Sequence, residues 1–115
     1  MAITKGFEEA LRRISKVQLY SENRLDLSEL QLTSLPAELF ELSSLIFLNL
    51  SANNLEQLPD EIGNLVALQD LPLYNNHLRS LPDTIGNLTS LQQLFLHNNK
   101  LNSLNNAIGN LISLR

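Results

Sequence analysis

The sequence predicts an α/β solenoid, with a parallel sheet on its concave face, short return segments on its convex face, and an amphipathic helix closing the N-terminal end. Three observations predict it. The segment LIFLNLSANNL (45–55) recurs as LQDLPLYNNHL (68–78) and LQQLFLHNNKL (91–101), with its first leucine at 45, 68, 91 and 114, a constant spacing of 23 residues. Within each copy two leucines stand two apart, the period at which a strand turns one face inward. Ahead of the copies, Phe7, Ala10, Leu11 and Ile14 fall at i, i+3, i+4 and i+7, one apolar stripe on a helix. A fixed period in the twenties means that each unit can bury its apolar face only against its neighbours.

The helix comes first and is expected from about Gly6 to Lys16. Glu8 with Arg12 and Glu9 with Arg13 make favourable i, i+4 pairs on its polar side. An uncovered terminal repeat exposes its core, so this helix is the expected cap of the first strand. The chain therefore divides into a capping helix and lead-in, residues 1–21, and about four repeats, residues 22–115. The first repeat is degenerate: Leu25, Leu27, Leu32, Leu35, Pro36, Leu39 and Leu42 stand 23 residues before Leu48, Leu50, Leu55, Leu58, Pro59, Ile62 and Leu65.

The copies match L-x-x-L-x-L-x-x-N-x-L, and each runs on into a second half, LEQLPDEIGNLVA, LRSLPDTIGNLTS or LNSLNNAIGNLIS. Over residues 22–115 this resembles the leucine-rich repeat family. The LP-x-x-I-G-N-L tail is similar to the subtype common in intracellular bacterial proteins and plant Ras-group repeats. The last copy departs from that tail, with Asn105 in place of proline. The resemblance implies a leucine-rich repeat solenoid, a right-handed β-α superhelix. It also implies a structural role for Asn53, Asn76 and Asn99, whose inward amides would pair backbone groups in the turn after each strand. Leu30 holds that position in the first unit, so its turn lacks the amide.

The residues themselves give a compatible architecture. Strands stacked about 4.8 Å apart make a four-stranded sheet roughly 19 Å wide. Leu58, Ile62 and Leu65 return along the convex side as a short helix or turn. Pro36, Pro59 and Pro82 precede that return, where a fixed φ and a missing donor do little harm. Gly63, Gly86 and Gly109 follow the apolar Ile and are expected to permit a tight backbone at the end of the convex segment. At the far end, Ile108, Leu111, Ile112 and Leu114 precede no polar cap, so the last repeat is truncated and open. An apolar end with an unpaired strand edge predicts self-association through these residues, as a homodimer.

Alternation sends the remaining strand residues to the concave face in three columns. The first holds Arg24, Phe47, Asp70 and Gln93, and the second Asp26, Asn49, Pro72 and Phe95. The third holds Ser28, Ser51, Tyr74 and His97. The early strands are polar and the later ones aromatic. Exposed aromatics give large contact area at small entropic cost, so Phe47, Tyr74, Phe95 and His97 are the expected anchors for a protein or peptide. Asp70, Asp26 and Arg24 would set its charge preference. Pro72 lies inside a strand pattern, and the strand is expected to persist with one inter-strand bond missing.

Other functions find little support. The net charge is −4 and the pI near 5.0, with no basic stripe for nucleic acid. No apolar run has the length of a membrane span. Cysteine is absent, which excludes disulfide-bonded caps and points to the cytoplasm. His77 and His97 have no partner at ligand spacing, no glycine loop would cradle phosphate, and no cofactor is expected. On an open sheet nothing would desolvate Asp26 or Asp70 for general acid chemistry, so the chain is not expected to be an enzyme. The expected function is a protein–protein interaction module, the N-terminal part of a larger protein. A helix of EALRRI type leading into repeats resembles the start of bacterial leucine-rich repeat proteins, some of which continue into Roc-type GTPase domains. A recognition segment of such a signalling protein is one alternative, and a short self-associating solenoid the other.

Overall fold

The structure, a computed structural model, describes residues 4–102 together with Ile108 and Gly109. Its elements run α1 (Lys5–Tyr20), β1 (Arg24–Asp26), β2 (Phe47–Asn49), β3 (Asp70–Pro72) and β4 (Gln93–Phe95). Between the strands, 3₁₀ helices span Ala37–Glu41, Asp60–Asn64 and Asp83–Asn87. Among the described residues the strands form one parallel sheet in the order β1-β2-β3-β4. Each Cα faces the residue 23 positions later, as in Leu25↔Leu48 and Leu71↔Leu94. This is the α/β solenoid that the leucine period predicts.

The core is a stack of equivalent leucines. Leu27, Leu50 and Leu73 are fully buried, and Leu48 and Leu71 beside them. Leu94 and Leu96, in the last described strand, are only partly covered. The convex returns must cross the width of the repeat quickly. A 3₁₀ helix rises about 2.0 Å per residue against 1.5 Å in an α-helix, so five residues suffice. Pro36, Pro59 and Pro82 precede these helices with φ of −61°, −73° and −68°. Their carbonyls accept the first bonds, from the N–H groups of Leu39, Ile62 and Ile85.

Glycine serves a different end from the one expected. Among the described residues no glycine has positive φ. A Cβ on Gly63 would instead lie 2.8 Å from the Thr84 Cβ and 2.9 Å from the Thr84 carbonyl oxygen. Gly63 therefore permits close approach of the third 3₁₀ helix to the second, and the Thr84 hydroxyl donates to the Asp60 carbonyl across that contact at 2.7 Å. The first unit has Phe40 at the equivalent position, nearly buried.

The left-handed residues lie elsewhere, at the equivalent positions Glu29, Ala52, Asn75 and Asn98, with φ of 57–58°, and additionally at Gln31 in the first repeat. They turn the chain after each strand. Behind that turn the asparagine amides do their pairing. Asn53 Oδ1 accepts from the N–H groups of Leu30 (3.1 Å) and Leu32 (2.9 Å), while its Nδ2 donates to the carbonyls of Leu27, Leu50 and Ser51. Asn76 and Asn99 repeat the pattern one and two units on. Each amide thus completes the turn of the preceding repeat, which is why the first unit manages with Leu30. Past the turn a second ladder runs down the flank, from the N–H groups of Asn54, His77 and Lys100 to the carbonyls of Leu32, Leu55 and Leu78.

Helix α1 is longer than its stripe suggested. Thr4 caps it, accepting from the Phe7 N–H at 3.1 Å, and Ser21 ends it in the left-handed region. Val17 adds a further i+3 step, so Ala10, Ile14 and Val17 are the buried residues. Its first turn packs against the turn that follows β1: a Cβ on Gly6 would lie 1.7 Å from the Leu30 carbonyl oxygen. Glu9 pairs with Arg13 at 2.9 Å and also holds Arg12, which turns to it instead of Glu8. Arg13 reaches on to donate to the Asp26 carbonyl at 2.8 Å, covering part of the outer edge of β1.

Candidate functional site

Because the leucines at 25, 48, 71 and 94 face the core, their strand neighbours face the other way. The register brings Arg24 beside Phe47 and Asp26 beside Asn49. It also sets Phe47 beside Asp70, Asp70 beside Gln93, and Pro72 beside Phe95. Tyr74 and His97 follow in the same parity just past β3 and β4, and their rings stack with centroids 4.8 Å apart and planes 10° apart. Ser51, expected to point to solvent in the third column, is only 2 % exposed, because its hydroxyl and N–H turn back to Asn49.

Its two halves differ in how those residues are occupied. In the first two repeats the side chains satisfy one another. Asp26 Oδ1 accepts from the Ser28 N–H (2.9 Å) and hydroxyl (2.7 Å). Asn49 Oδ1 does the same for Ser51, at 3.0 and 2.6 Å. The Arg24 guanidinium lies over the Phe47 ring, 4.2 Å from its centroid, a cation–π contact of about 0.5–1 kcal/mol at an exposed site. Asp26 and Asn49 therefore stabilise the strand ends. The pairing signal, an Asx residue two before a serine at a 23-residue repeat, is visible in the sequence once one looks for it.

The later half is open. Phe95 is 41 % exposed, an unusual value for phenylalanine in so well packed a chain. Gln93 and His97 are exposed, and Asp70 and Tyr74 half-buried. Pro72 departs from its expected place in solvent: it is buried on this face. It therefore shapes the surface without offering much of it. Its ring nitrogen has no hydrogen to give. By the two-residue step of a parallel ladder from the Asp70 N–H, which bonds the Ile46 carbonyl, the missing bond is to Leu48. Accordingly β2 and β3 are matched through Phe47↔Asp70 alone, while the flanking pairs keep three matches each. The strand persists because the Pro72 carbonyl still accepts from Leu50 at 3.0 Å.

Among the described residues no three His, Cys, Asp or Glu gather as a metal site, and no helix is long and apolar enough to cross a membrane. On α1, Glu9 is held below the usual carboxylate range by its hydrogen bond from Arg13. A groove of about 400 Å³ beside α1 is lined by Glu9, Arg12, Arg13, Lys16, Arg24 and Asp26 among others, with Glu9 paired to both Arg12 and Arg13. Of the residues expected to mediate self-association, Ile108 is partly buried, and Leu111, Ile112 and Leu114 lie outside the described residues.

Comparison with known proteins agrees with the geometry. A family model described as a leucine-rich repeat region matches residues 22–115. Among solved structures, the chain is similar to a leucine-rich repeat protein of Leptospira interrogans, with a TM-score of 0.76 and 39% identity over 85% of this chain and 31% of that one. It is also similar to the plant peptide hormone receptor RGFR1, solved in complex with RGF2, with a TM-score of 0.71 and 40% identity over 81% of this chain and 16% of the receptor. InlP of Listeria monocytogenes gives a TM-score of 0.56 and 39% identity over 64% of this chain and 20% of that one. The chain spans less than a third of each of these proteins. No curated protein matches it.

Proposed function

Since the chain belongs to the leucine-rich repeat family, we propose that it is a non-enzymatic interaction module whose concave sheet binds a protein or peptide through Phe47, Tyr74, Phe95 and His97. The observation that carries this reading is the open aromatic cluster of the third and fourth repeats. Phe95 stands exposed beside the stacked Tyr74 and His97 rings, on a face where the earlier repeats have closed their polar groups on themselves. A stacked pair is rigid and amphipathic, the kind of surface on which binding energy concentrates. The receptor solved with RGF2 supports a peptide as the partner class. LPDEIGNL and LPDTIGNL support the intracellular bacterial, Ras-group-like subtype, and the cysteine-free sequence supports a cytoplasmic setting. The small share of its neighbours that the chain spans supports its being one part of a larger protein.

The test is selection of binders from a random peptide display library, followed by affinity measurement on variants. Tyr74→Ala with Phe95→Ala should weaken selected binders by about 2 kcal/mol or more, with the circular dichroism spectrum unchanged. Val66→Ser, at an exposed convex position, should leave them unaffected. Binders that tolerate the concave pair and lose affinity at Val66 would place the site on the other side of the solenoid.

A further inference from the structure

The backbone repeats itself through all four units, while the strand-end side chains do not. The Ser28 and Ser51 N–H groups donate to Asp26 Oδ1 and Asn49 Oδ1. In the next two repeats these pairs become Pro72 with Tyr74, and Phe95 with His97. Neither Pro72 nor Phe95 has a side-chain acceptor, and neither the Tyr74 nor the His97 N–H meets a hydrogen-bond partner among the described residues. The local chain path is nonetheless the same. A left-handed residue follows at the same distance in every unit, with φ of 57–58°. The N–H groups of Glu29, Ala52 and Asn75 bond in turn to the carbonyls of Ser51, Tyr74 and His97. The two free N–H groups therefore aim at the positions that side-chain oxygens fill in the first two repeats. They lie just past adjacent strands, which stack about 4.8 Å apart, beside the Tyr74–His97 stack and Phe95.

We propose that the partner supplies the missing acceptor: a peptide segment whose Asp- or Asn-type side-chain oxygen takes the Tyr74 or the His97 N–H group, either of which it can reach, while its apolar neighbours lie on Phe95 and the stacked rings. The inference rests on the concave-face reading and adds to it the chemistry that is recognised. Backbone donors without a protein partner favour a ligand acceptor over an apolar group, because covering them with a hydrocarbon would strand them. The first two repeats show which acceptor fits the geometry, since one uses a carboxylate and the other a carboxamide.

The experiment is an amide-resolved NMR titration of the isotope-labelled chain with three blocked tripeptides, acetyl-Leu-Asp-Leu-amide and its Asn and Ala counterparts. Before any peptide is added, the Tyr74 and His97 amides should exchange with solvent faster than those of Ser28 and Ser51. With the Asp and Asn peptides, both amide protons should move downfield several-fold further than with the Ala peptide. A preference between the first two peptides identifies carboxylate or carboxamide. Pro72→Asn installs the acceptor of the second repeat and should abolish the Tyr74 response. Pro72→Ala restores the same ladder donor without an acceptor and should keep that response. Phe95→Asn against Phe95→Ala is the matching pair at His97, and the amide spectra themselves report whether each variant is folded. Equal shifts with all three peptides, or equal behaviour of the Asn and Ala variants, would overturn the proposal while leaving a concave binding face intact. Silence of every concave amide towards these peptides and towards display-selected binders would overturn both.

Discussion

The first two repeats and the last two are built on one backbone and use it differently. On the concave side, Asp26 and Asn49 fold back onto their own serines, and Arg24 covers Phe47. Tyr74, Phe95 and His97 leave ring surface and two backbone donors to the outside. On the convex side the contrast is one of fit. Gly63 lets its 3₁₀ helix close onto the next, and that pair packs more extensively than the first pair, where Phe40 stands in the equivalent place. At the N-terminal end α1 presses its Gly6 against the Leu30 carbonyl. On the concave face one half is thus finished internally and the other presents unmet contacts, while on the convex side the later pair is the better packed.

The comparison can be broken hardest at the asparagine column. Asn53 is 5 % exposed and serves two donors and three carbonyls. Asn53→Ala should cost about 3 kcal/mol in urea unfolding, since each buried group left unpaired costs about 1–3 kcal/mol. Asn99→Ala, at a partly exposed position with a single bonded donor, should cost about a third of that. Equal losses would mean that the two halves are equally well sealed. Gly63→Val comes next and should cost about 2 kcal/mol, because Thr84 backbone and side chain both block the new Cβ. Gly6→Ala should loosen α1 by a similar amount and raise hydrogen exchange at Ala10, Ile14 and Val17.

A smaller effect sharpens the contrast in the opposite direction. Ala52 adopts a left-handed conformation that Asn75 and Asn98 tolerate better, so Ala52→Gly should raise stability by about 0.5–1 kcal/mol. The smallest concerns pH. Glu9 titrates below its unfolded value because Arg13 bonds its charged form. Its contribution is therefore present above the unfolded carboxylate pKa and is lost as pH falls through the lowered folded value. Since Glu9 stays partly exposed and its ion pairs are screened by solvent, Glu9→Gln should flatten the acid limb of the stability profile only slightly.

The sheet and its registers were legible because leucines at a constant spacing leave one way to stack and one way to alternate. Arg24, Phe47, Asp70 and Gln93 could be put in a column before any coordinate was known. Other features depended on contacts that periodicity does not encode. Alternation places Pro72 on the concave face but says nothing of the neighbours that bury it. The role of Gly63 depends on Thr84 in the next unit, not on its own φ. The end of α1 was underestimated because Val17 follows the polar Lys16 and lies one step past the regular stripe. The left-handed column at 29, 52, 75 and 98 was hidden because only its last two members are asparagines.

The asparagine amides point backward along the chain, and this gives the solenoid a direction in time. The turn that contains Leu30 and Leu32 is closed by a side chain 21 to 23 positions downstream. A nascent polypeptide leaving the ribosome cannot lock its opening coil until Asn53 has emerged, nor the following one until Asn76 has. Each coil therefore waits on the synthesis of its successor, and the order of translation is also the order in which this molecule becomes rigid.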